Sequence, residues 1–162
     1  MGIAEIDLTK YSNRFSSYTE LRLHENRTLN IALLNGDVVG NSHSSNGGVS
    51  ARVFHEGAWG FSSSQDTGNT AIENTIAAAT TNAGFLARKG RLERLTLPRA
   101  SGNANSDFTT RKPVVSQHDK IEFLRQVDAY VVTACPEIVS RQVVLSCLDM
   151  EKKLHTSEGS QG

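Results

Sequence analysis

The chain of 162 residues is poor in several things, and each shortage excludes something. It has two cysteines, Cys135 and Cys147, with no CxxC spacing. A disulfide framework or a Cys-rich zinc module is therefore not encoded, and the two thiols are expected to be reduced, buried small hydrophobes. Charge of either sign is not in excess: seventeen Lys and Arg balance seventeen Asp and Glu. A duplex-binding or anionic-membrane protein usually carries a basic field, so nucleic acid and membrane are not expected partners. No apolar run approaches the ~18 residues that span a bilayer. The opening MGIAEIDLTKYSNRF has no basic and then apolar leader, and Ile6 stands where a myristoylation signal needs Ser or Thr. The expected location is cytoplasmic.

What is present is a change of period. From Tyr18 to Ser64 apolar residues alternate with polar ones, the pattern of half-buried strands. YTELRLHE places Leu21 and Leu23 on one face, and TLNIALL does the same with Leu29, Ile31 and Leu33. Asn35-Gly36 predicts a type I′ hairpin, and the return segment DVVGNSHS, polar and glycine-bearing, reads as an edge strand or a bulge. Asn46-Gly47-Gly48 predicts another turn. VSARVF sets Val49, Ala51 and Val53 against Ser50, Arg52 and Phe54, and His55-Glu56-Gly57 turns the chain into AWGFSS. There Trp59 and Phe61 share one face, expected to be buried. The result is a five-strand antiparallel meander.

At Thr70 the period becomes helical. Thr70-Ala-Ile-Glu73 has the form of a capping box, and Ile72, Ile76, Ala79, Ala83 and Leu86 follow on one face to about Lys89, with a stop at Gly90. Residues 98–115 carry two prolines and no period, a long loop. Ser116-Gln-His-Asp119 is a second capping box, ahead of Ile121, Leu124, Val127 and Val131, and Pro136 ends that helix. A last strand puts Val143, Leu145 and Cys147 on one side and Val144, Leu148 and Met150 on the other, with cover expected on both and a hairpin starting near Met150–Lys152. The predicted fold is α+β: an antiparallel β-meander packed against two helices, with a further C-terminal strand or hairpin.

Chemistry is sparse. The five histidines (His24, His43, His55, His118, His155) form no HExxH; His118 and Glu122 come nearest, at i and i+4, without a third ligand. Zinc needs three or four ligands converging at about 2.0–2.3 Å. His55-Glu56 therefore reads as a solvated turn. P-loop, dinucleotide and GxSxG motifs are absent. The basic run RKGRLERLTLPR (Arg88, Lys89, Arg91, Arg94, Arg99) lacks interleaved aromatics and reads as a helix C-terminus complementing the macrodipole. Catalytic and metal-binding residues are both expected to be missing.

The pieces "YTELRL", "NGDVV", "GGVSARVFHEGAWGFSSS", "AIENTIAAATTNAGFLA", "SQHDKIEFLRQV" and "HTSEG", in that order, resemble the N-terminal domain of the TldD/PmbA family. These are the modulator-of-gyrase proteins, which include metallopeptidases. The resemblance spans roughly residues 18–160, leaving 1–17 as a short N-terminal segment where the family opens with a longer helix; residues 18–162 form the domain. It implies that Gly48, Arg52, Gly57, Trp59, Gly60 and Phe61 are structural motif residues with a share in a substrate wall. It implies flexible or unfolded peptides as substrates of the full-length parent and a homo- or heterodimer with a family paralogue. It also implies zinc held by an HExxxH motif and a later cysteine in a downstream domain, so no cofactor is expected in this chain. Residues 1–162 contain no such motif, and are expected to be an isolated first domain or a truncated relative, inactive alone.

Overall fold

The computed structural model describes residues 3–90, 97 and 99–162. Two short 3₁₀ helices, Ile3–Glu5 and Thr9–Arg14, precede β1 (Tyr18–Leu34), β2 (Asp37–His55), β3 (Ala58–Ser64), α1 (Asn69–Lys89), α2 (Gln117–Ala134) and β4 (Gln142–Thr156). The strands form one antiparallel sheet in the order β3-β2-β1-β4. The α+β class and the meander are as the sequence predicts.

The strand count differs. YTELRLHE and TLNIALL are one strand of 17 residues, and DVVGNSHS and VSARVF are one of 19. Asn46-Gly47-Gly48 is not a turn. A Cβ on Gly47 would meet the His24 carbonyl, and one on Gly48 (φ +155°) would meet the Ser64 carbonyl. These glycines admit neighbouring backbone on both sides of β2. β3 pairs with β2 only from Val49 to His55, which leaves the polar half of β2 beyond the end of β3, an edge as its composition suggests.

The chain clusters into two units. The first comprises Met1–Glu25, Asn46–Ser106 and Met150–Gly162. Its core joins Leu21, Leu23, Val49, Ala51 and Val53 of the sheet to Ile72, Ile76, Ala79 and Ala83 of α1. Ile3, Ile6, Leu8 and Tyr11 of the N-terminal segment enter the same core, although residues 5–15 have no continuous helical stripe. α1 begins behind Gly68 with no side-chain cap, so Thr70 and Glu73 form no capping box. Instead the Asp66 carboxylate accepts from the Gly68 N–H at 2.8 Å, and Glu73 pairs with Arg14 at 3.0 Å. The helix stops at Gly90 as predicted, while Leu86 is exposed. β4 runs unbroken to Thr156; the turn comes at Ser157-Glu158, where Gly159 takes φ +86° and Gly162 returns to pair with Leu154. Gly102 and Ala104 of the long loop bond to Gln161.

The second unit comprises Asn26–Ser45 and Asp107–Asp149. Leu29, Ile31, Leu33 and Leu124 form its core, with Ile121, Val143, Leu145 and Cys147 packed against it. Ser116 caps α2 as predicted, accepting from the Asp119 N–H at 3.1 Å. The other face of β4 is open: Val144 and Leu148 are exposed, so the expected cover on both sides is not found. Cys135 and Cys147 are free thiols, half-buried rather than buried.

Candidate functional site

In the first unit the alternation of three strands sorts side chains onto two faces. Ala58 and Gly60 of β3 face α1. A Cβ on Gly60 would run into the Ala79 carbonyl and the Ala83 N–H, and would lie 2.8 Å from the Ala83 methyl. A helix seated this close needs small residues beneath it. Trp59 and Phe61 therefore take the opposite face, where they are 38% and 58% exposed. The expectation that they are buried is corrected: the small residues that alternate with them, Ala58 and Gly60, lie under the helix instead.

That outer face carries an ordered cluster. The Arg52 guanidinium lies over the Trp59 ring at 4.4 Å, and the same indole meets Phe54 at 4.9 Å and Tyr18 edge-on at 5.9 Å. Arg52 Nη2 donates to Glu20 Oε1 at 2.7 Å, and Arg22 Nη2 donates to Glu20 Oε2 at 2.8 Å. Tyr18 Oη donates to Glu20 Oε1 at 3.2 Å. A buried carboxylate is tolerated because all of these donors converge on it. Burial alone would raise the Glu20 pKa. The Arg52 hydrogen bond and charge, with the charge of Arg22, outweigh it and hold the carboxyl below its usual range. Burial, then the Glu20 charge, pushes the Tyr18 phenol up, so it remains a donor. Beside the cluster a shallow cavity of about 390 Å³ is lined by His24, Gly48, Ser50, Phe61, Ser63 and Gln65, among others.

The structure thus brings Arg52 and Trp59 together, and puts Phe61 and Gly48 on the neighbouring cavity. Gly57 lies apart, at φ +86° in the hairpin tip, with Glu56 at +46°. Gly60 serves the opposite face. The motif reading missed Glu20, Tyr18, Arg22 and Phe54; the signal was the alternation itself, which sets Glu20 and Arg22 outward on β1.

His55 is not simply solvated. Its Nδ1 lies 2.9 Å from Ser17 Oγ, half-buried at the end of β2. His155 is 5% exposed, with Nε2 2.8 Å from Ser12 Oγ and, among the described residues, no partner at Nδ1. Because Ser12 Oγ donates to the Thr9 carbonyl at 2.6 Å, it accepts from His155, which is not the arrangement of an activated nucleophile. Among the described residues no group of three or more His, Cys, Asp and Glu side chains converges to hold a metal, and no helix is long and apolar enough to cross a membrane. Arg88 and Lys89 occupy the last turn of α1. Arg91 and Arg94 of the basic run lie outside the described residues.

Residues 19–83 match the family model described as PmbA/TldA metallopeptidase domain 1. No curated protein matches the sequence. Solved structures share the fold, among them the following three. A Bacteroides thetaiotaomicron protein named as a modulator of DNA gyrase superposes with TM-score 0.71 at 17% identity, covering 94% of this chain and 36% of its own. A Thermotoga maritima protein named likewise gives 0.68 at 15%, covering 90% and 32%. TldE from Thermococcus kodakarensis gives 0.59 at 12%, covering 96% and 35%. The chain spans about a third of the length of these structures. Over residues 19–83 the sequence is thus similar to a PmbA/TldA metallopeptidase first domain, and over nine-tenths of its length the chain shares the fold of these structures.

Proposed function

We propose that this chain serves as the non-catalytic first domain of a TldD/PmbA-type zinc metallopeptidase acting on flexible peptides. The observation that carries this is the exposed Arg52–Trp59–Phe61 face, on a domain whose residues 19–83 match a metallopeptidase first domain. Exposed aromatics held by an arginine contribute apolar area to a partner at little further cost in side-chain entropy. In this reading the face is part of a wall along which an unfolded segment lies. Zinc, ligated downstream, polarises the scissile carbonyl and activates water, while this domain helps enclose the chamber within a homo- or heterodimer. The assembly is cytoplasmic, with neither nucleic acid nor membrane as a partner. Residues 1–162 alone hold no stoichiometric zinc and cleave nothing.

The same exposed face favours a second reading, a stand-alone interaction or regulatory module. Sequencing downstream of Gly162 separates the two: an HExxxH segment supports the peptidase, and a stop codon or a domain without ligands supports the module. If HExxxH is present, the full-length protein should carry zinc by mass spectrometry and cleave an unstructured peptide. Tight zinc or peptide turnover in residues 1–162 by themselves would sink the non-catalytic assignment. So would salt-sensitive, submicromolar duplex binding for the absence of a nucleic-acid partner.

A further inference from the structure

The outer face of the first unit holds its charges at two depths. The Glu20 side chain is 9% exposed, whereas Arg22 and Arg52, which share it, are 55% and 48% exposed. One carboxylate thus serves two guanidinium groups, and it is the acid that is shielded. An approaching partner meets the two exposed guanidinium groups rather than the carboxylate they share, beside Trp59 and Phe61. Glu158 adds a negative charge near Tyr18, and the guanidinium groups open to a partner are those of Arg52 and Arg22. Stacking on Trp59 and bonding to Glu20 also fix the Arg52 side chain in advance. Such preorganised arginines select partners by charge as well as by apolar contact.

We propose that this face selects peptide segments that place an acidic side chain next to an aromatic or aliphatic one. The carboxylate pairs with Arg52 or Arg22, and the apolar side chain lies on Trp59 and Phe61 toward the adjoining cavity. This rests on the reading of the face as a peptide wall, and it names the class of peptide preferred there.

Trp59 is the only tryptophan, so intrinsic fluorescence reports on this face directly. The 162-residue chain would be titrated with an unstructured peptide of Glu, Phe, Gly and Ser, labelled at one end so that anisotropy gives a second readout. Matched peptides carry Lys for Glu, or Ser for Phe. The acidic–aromatic peptide should give saturable changes in both signals. Replacing Glu by Lys, or Arg22 or Arg52 by Gln, should weaken binding by about tenfold or more; Arg88→Gln, exposed on α1, should leave it unchanged. Arg22→Gln matters most as a control, because Arg22 does not touch the indole. Equal or tighter binding of the Lys peptide, or no saturable response to any peptide, would overturn the proposal. Stronger competition by single-stranded DNA would do the same. So would a concentration-dependent Trp59 shift without peptide, accompanied by a dimer in sedimentation, since a second copy would then cover the face. Failure of the peptidase reading is separable. Without an HExxxH downstream, binding of the acidic–aromatic peptide still stands, whereas a zinc-loaded parent that cleaves Lys and Glu peptides alike sinks this inference alone.

Discussion

Gly60 and Ala79 meet backbone to backbone: a Cβ on the glycine would fall well inside van der Waals contact of the Ala79 carbonyl oxygen. The strand can come this close to α1 only because residue 60 has no side chain. The same contact fixes the outward orientation of Trp59 and Phe61, the neighbours of Gly60 along β3.

Gly60→Ala should therefore destabilise the protein by about 1–3 kcal/mol or more, since neither partner is a flexible side chain that can move away. Gly84→Ala, within α1 with no atom of the described residues within 4 Å of its Cβ position, should stabilise by about 0.5–1 kcal/mol through helix propensity. Paired denaturant melts measure both, and opposite signs are the expected outcome.

The Glu56-Gly57 turn has positive φ at both positions. Gly57→Val should cost about 1–3 kcal/mol in strain. His55→Ala should cost less, about 0.5–1.5 kcal/mol, for the Ser17 hydrogen bond. The double variant with Ser17→Ala should lose no more than the larger single loss. Fully additive losses would show that the two side chains are not coupled.

Glu20 makes a prediction for acid. Its folded pKa lies below the unfolded value because of Arg52 and Arg22. Its stabilisation is then fully present above the unfolded carboxyl pKa of about 4.3, and is lost as pH falls through the folded value. Wild type should exceed Glu20→Gln in Tm near neutrality, and the gap should narrow below about pH 4. A gap that is constant with pH would mean that the carboxylate charge contributes nothing to folding.

In the second unit Arg141 Nε donates to Asp128 Oδ1 at 2.9 Å, with side chains 17% and 8% exposed. Arg141 also exchanges hydrogen bonds with Asn35, at 2.8 and 2.9 Å, and so ties the Asn35-Gly36 turn. Asp128→Ala should cost about 3–5 kcal/mol by leaving a guanidinium without its acid. Adding Arg141→Met should restore part of that loss, as read by chemical denaturation.

The order of elements, both positive-φ turns, the helix stop at Gly90 and the Ser116 cap all follow from the sequence, because each depends on interactions within a few residues. Alternation likewise sorted Arg52 from Val53 and Glu20 from Leu21. What alternation cannot supply is which of two apolar faces receives the helix. On β3 hydrophobicity points to Trp59 and Phe61, yet burial goes to Ala58 and Gly60, because α1 brings Ala79 and Ala83 and leaves no room for a large side chain. Gly47-Gly48 reads as a turn for the same reason: a glycine suits a turn or a close backbone, and only the neighbouring strands decide between them. The convergence of Arg22, Arg52 and Tyr18 on Glu20 joins residues up to 34 positions apart across two strands. Strand pairing, which the local sequence does not encode, made that cluster.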